Sequence, residues 1–117
     1  MTAPRACFIV PPGPRYVREE RCQGSTEGLL VHGPRMPLEI ALHAALVERA
    51  GWETTIIDAA VPGMSPEAAQ AAVLAQAPDL IVLQATVASR ASDLAFLEGL
   101  KAARPGAVTM AYGADFD

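Results

Sequence analysis

Uninterrupted apolar runs of strand length alternate along this chain with stretches whose apolar residues recur three or four positions apart. Residues 6–10 (Ala6, Cys7, Phe8, Ile9, Val10) form the first run, and Pro11-Pro12-Gly13-Pro14 ends it because prolines cannot continue a ladder. Its lack of alternation predicts a central strand covered on both faces. After Pro37, residues Leu38, Ala41, Leu42, Ala45 and Leu46 recur at helical spacing, predicting a first helix with this apolar face and Gly51 as its C-terminal cap. Residues 52–58 (WETTIID), rich in β-branched side chains, read as a second strand, placed nearer the sheet edge by Glu53 and Thr54. Ser65-Pro66-Glu67 starts a second helix with a hydroxyl cap, a proline at the first position and a carboxylate near the positive dipole end. It runs to about Ala77, and Pro78 stops it. Residues 79–84 (DLIVLQ) form a third strand buried on both faces, and 85–90 its exit loop. Ser89 or Ser92 caps a third helix with Leu94, Leu97 and Leu100 inward and Glu98 and Lys101 outward, ended by Arg104-Pro105-Gly106. Residues 108–112 make a fourth strand.

The order βαβαβαβ predicts an α/β fold, a Rossmann-like or flavodoxin-like parallel sheet with helices on both faces, in one domain over residues 1–117. Residues 113–117 stand where another helix is expected, so the expected sheet lacks its last strand and helices. One connection breaks the rhythm. Residues 11–37 join the first strand to the first helix, where about two to six residues normally suffice, and a loop of that length at that place reads as a lid or a docking segment.

Composition narrows the possible functions. An apolar fraction of 51% with only 5% aromatic residues describes a folded domain whose core is filled by Ala, Val, Leu and Ile. A net charge of −4 gives no basic footprint for nucleic acid. Two cysteines without a CxxC pair make neither a disulfide framework nor a redox motif, which fits a reducing, cytoplasmic setting. No segment approaches the ~20 apolar residues that span a bilayer.

In open parallel sheets the ligand crevice lies outside the carboxyl ends of the strands, so contacts are expected from Pro11 onward, from 85–90 and from 113–115. Thr86 and Ser89 offer hydroxyls, with helix capping the equal alternative for Ser89, and Gly113 permits close backbone approach. Asp58 stands where a ribose-binding acid would, but no GxGxxG follows the first strand, which argues against a dinucleotide. Glu39 and His43, four apart, read as a solvated helix-face pair, while His32 and Cys22 read as loop surface. Arg15, Arg18, Glu19, Glu20 and Arg21 form either a solvated loop face or a contact for an anion or a partner. No catalytic residue and no metal-ligating set is assigned.

Four segments, in this order and spacing, resemble one family: Phe8-Ile9-Val10-Pro11-Pro12 leading into PRYVREERC, the helix ending LVERAGWETTIIDA, APDLIVLQATVAS, and LKAARPGAVTMAYGADF. The family is the N-terminal cobalamin-binding domain of cobalamin-dependent radical S-adenosylmethionine enzymes, several of them methyltransferases. The resemblance implies a flavodoxin-like sheet holding cobalamin across its carboxyl ends, with Pro12, Gly13, Arg15, Thr86, Ser89, Gly113 and Ala114 at cofactor-binding positions. DxHxxG is absent after the first strand, so the implied binding mode has no histidine on cobalt. CxxxCxxC is absent too, so the iron–sulfur cluster and S-adenosylmethionine belong to a separate catalytic part, the implied partner. The alternative expectation is a cofactor-free structural or interaction subunit that docks through the long loop and the uncovered last strand.

Overall fold

The computed structural model describes residues 2–12, 16–17, 24–25, 38–60, 63–86 and 89–113. Strand β1 (Arg5–Val10) is followed by a two-residue antiparallel pair, β2 (Tyr16–Val17) and β3 (Gly24–Ser25), and then by helix α1 (Leu38–Arg49). Strand β4 (Glu53–Asp58), helix α2 (Pro66–Ala75), strand β5 (Leu80–Gln84), helix α3 (Arg90–Ala103) and strand β6 (Val108–Tyr112) complete the chain. The main sheet is parallel throughout in the order β4-β1-β5-β6. This is the α/β, Rossmann-like or flavodoxin-like arrangement the alternating pattern predicts. The β2–β3 pair lies inside the long connection, where no strand is expected from sequence, because two-residue pairings leave no periodicity to read.

The uninterrupted apolar run of β1 has the predicted cause. Cys7 and Ile9 face one core with Val73 of α2, Ile81 and Leu83 of β5, and Leu97 and Leu100 of α3. Ala6, Phe8 and Val10 face a second core with Ile40 and Ala44 of α1 and Val82. So α1 covers one face of the sheet, and α2 and α3 cover the other. β4 stands at the edge with a half-exposed pattern, as Glu53 and Thr54 predict.

The termini of α2 and α1 follow the sequence signals. Ser65 accepts a hydrogen bond from Ala68 N at 3.1 Å, with Pro66 opening α2. Beyond α1, Gly51 takes φ +104°, a conformation that an L side chain resists. At the end of α3, Lys101 Nζ donates to the carbonyls of Pro105 and Ala107 at 2.9 and 2.6 Å, and Arg104 Nε donates to Pro78 O at 2.6 Å. The accepting carbonyls lie in the segments that follow α3 and α2, so these cations tie the end of α3 to both.

One expectation about α1 is overturned. Its buried residues are Ile40 and Ala44, with Val47 packed beside them, whereas Leu38, Leu42 and Leu46 are 58%, 61% and 56% exposed. The helix is apolar around most of its circumference, so periodicity alone offers two faces. Ala44 is small enough to bring the helix axis close to the sheet, and that side is the one buried.

Candidate functional site

The chain runs from β1 outward to β4 and then back across to β5 and β6, so the strand order reverses between β1 and β5. In open α/β sheets a reversal of this kind marks the place, outside the carboxyl ends of the two strands, where ligands are taken. Pro11 is buried and Pro12 half-buried at the end of β1. Thr86 and Ser89 follow β5, and Gly113 follows β6. Ala85 N donates to Tyr112 O at 2.8 Å, which carries the β5–β6 ladder past the last strand pair and keeps these exits together. Gly13, Arg15 and Ala114, with His32 and Cys22, lie outside the described residues.

Thr86 and Ser89 are placed beside the crevice, but their hydroxyls are used within the protein. Thr86 Oγ1 and Ser89 Oγ are 2.8 Å apart, Ser89 N donates to Thr86 Oγ1 at 3.1 Å, and Ser89 Oγ donates to Asp93 Oδ2 at 2.6 Å. All three residues are buried. Ser89 is the residue preceding α3, yet its side chain makes no capping bond to the helix. Its hydroxyl holds the buried Asp93 carboxylate instead, which keeps that group from being buried without a donor. Asp58 also has a local task, since its Oδ1 accepts from Ala60 N at 3.1 Å and shapes the turn after β4.

A second polar group sits at the same end of the sheet, on the α1 face. Gln84 and Tyr112 are paired neighbours at the carboxyl ends of β5 and β6, and the first turns of α1 lie over them. Gln84 Nε2 donates to Glu39 Oε2. The rings of His43 and Tyr112 meet edge to face, with centroids 4.9 Å apart and planes at 72°. The Tyr112 hydroxyl oxygen is buried and has no hydrogen-bond partner among the described residues. Burial, with the Glu39 carboxylate acting in the same direction, pushes this phenol up to about 12. Leaving such a group unpaired costs about 1–3 kcal/mol, so an unpaired hydroxyl of this kind calls for a partner.

Glu39 and His43 are therefore not the solvated pair that their spacing predicts. The i,i+4 rule places both on one side of α1, but only the strand order shows that this side faces Gln84 and Tyr112. Two terminal strand residues 28 positions apart carry no sequence signal of adjacency.

Other chemistry is sparse among the described residues. No group of three or more His, Cys, Asp or Glu is arranged to hold a metal ion. Cys7 lies inside the core, and burial pushes its thiol up to about 12, which leaves it protonated and unreactive at neutral pH. A cavity of about 210 Å³ lined by Arg5, Ala6, Glu53, Thr55 and Gln76 lies at the amino ends of the strands. That is the end opposite the crevice. Its polar lining is engaged in an exposed Arg5–Glu53 ion pair at 3.2 Å and a Thr55–Gln76 hydrogen bond at 3.3 Å. No described helix is long and apolar enough to cross a membrane.

Compared with protein-family models, curated proteins and solved structures, the chain matches none.

Proposed function

We propose that the chain is a cobalamin-binding module, resembling the N-terminal domain of cobalamin-dependent radical S-adenosylmethionine enzymes, and that it is not catalytic alone. The observation that carries this reading is the strand reversal between β1 and β5. It gathers the exits of β1, β5 and β6, the same segments that bear the resemblance, at one crevice. The donor set fits a large ligand held by backbone and apolar contact. Pro12 and Gly113 offer close approach, the hydroxyls of Thr86 and Ser89 brace the crevice wall from within, and the buried Tyr112 hydroxyl, at the end of β6, has no partner among the described residues.

When bound, cobalamin supplies a cobalt centre able to carry a methyl group. The role of this chain is to bind and orient the cofactor. The iron–sulfur cluster and S-adenosylmethionine belong, in this reading, to a catalytic domain that docks on it. Mixing the protein with hydroxocobalamin and passing it through a gel-filtration column tests the proposal. A visible chromophore co-migrating with the protein is expected, and clean separation of the two contradicts it.

One observation favours a second reading, that of an interaction subunit. On the α1 side, a helix about 10 Å wide covers β1 and β4 of a sheet whose strands lie about 4.8 Å apart. Over β6 this leaves Val108 and Met110 60% and 50% exposed. They and the leucine ridge of α1 are exposed large apolar side chains on this side of the sheet, a composition that marks protein contacts. A protein that is monomeric and carries no co-purifying polypeptide argues against this reading.

A further inference from the structure

Resting on the cobalamin reading, we infer that Tyr112 and Glu39 form the point at which the module recognises a primary carboxamide on the rim of the cofactor. A carboxamide presents a carbonyl acceptor and an N–H donor side by side. Tyr112 offers the matching donor, a buried hydroxyl with no partner among the described residues, and Glu39 offers the matching acceptor. Glu39 Oε2 accepts from Gln84 Nε2, which holds the carboxylate at this end of the sheet. Tyr112 ends β6 and Glu39 accepts from Gln84 at the end of β5, so both groups stand at the carboxyl end of the sheet.

The other ligand chemistries fit less well. A carboxylate or phosphate would be set against the Glu39 carboxylate, a like charge at close quarters. An ammonium group would satisfy Glu39 but leave the Tyr112 hydroxyl hydrogen unused, and a hydrocarbon would satisfy neither. Met110, two residues earlier on the same face of β6, is half exposed, whereas the Tyr112 hydroxyl oxygen is buried, so a carboxamide reaches it by displacing a neighbouring side chain. The His43 ring packs edge-on against the phenol ring. The periphery of cobalamin carries several primary carboxamides, so the required chemistry is present in the ligand.

The test compares hydroxocobalamin binding and ligand-free thermal melting for the wild type, Tyr112→Phe and Glu39→Gln. Tyr112→Phe is expected to bind about tenfold more weakly, the loss of one hydrogen bond, while melting at or above the wild-type temperature because an unpaired buried hydroxyl is gone. Glu39→Gln is expected to weaken binding severalfold, which keeps the test intact even where Tyr112→Phe folds poorly. Wild-type binding matched by both variants overturns the carboxamide assignment and leaves the cobalamin module standing. A wild type that binds no hydroxocobalamin overturns both.

Discussion

The deepest titratable group in the core is the Cys7 thiol, in the middle of β1, and its surroundings set a pH dependence. Burial raises it from 9.0 to about 12, and Tyr112 moves the same way, from 10.0 to about 12. In the unfolded chain both groups ionise near their ordinary values, so between about pH 9 and pH 12 the folded state holds more protons than the unfolded one. The stabilisation is complete below pH 9 and is lost as the pH climbs toward 12. Urea-denaturation stability should therefore fall across that window, and Cys7→Ala should make the fall shallower at a cost of about 1–3 kcal/mol at neutral pH. An equally steep decline in Cys7→Ala would show that the thiol is not the source. The inertness of Cys7 follows from its place in an apolar run and was legible in the sequence. The pairing of Thr86 with Ser89 and Asp93 was not, because hydroxyls three residues apart after a strand serve a ligand or one another equally well until the loop is folded.

At the level of elements, stop signals were the most legible feature, and two glycines test why. Gly51 ends α1 at φ +104°, while Gly99 lies inside α3, and a Cβ at either position meets nothing within 4 Å. Backbone preference alone then decides the sign. Gly51→Ala should destabilise by about 1–2 kcal/mol, and Gly99→Ala should stabilise by about 0.4–1 kcal/mol, both read from urea midpoints. Equal effects at the two sites would refute the assignment of Gly51 as a conformational stop. The face of α1 was less legible than its ends. Leu38, Leu42 and Leu46 carry a stronger apolar signal than Ile40 and Ala44, yet the sheet selects the side on which a small residue permits close approach. Apolar periodicity locates a helix well and orients it poorly when the helix is apolar all round.

For the whole molecule, the alternation of strands and helices was enough to predict the parallel sheet and its two-sided cover. The cluster of Glu39, His43, Gln84 and Tyr112 was not predictable, since it is assembled by strand order from residues far apart in the chain. The exposed leucine ridge separates two roles for the α1 face. Leu42→Glu should change stability by no more than about 0.5 kcal/mol, because Leu42 makes no core contact. If that face docks a partner, the same substitution should abolish association in sedimentation velocity; a large loss of stability would instead mean that the ridge is part of the core. The central claim concerns the crevice, where the exits of β1, β5 and β6 meet. Equilibrium dialysis of the intact chain against hydroxocobalamin tests it most directly: the account predicts saturable uptake of one cofactor per chain, and no uptake above that of an unrelated protein would contradict it.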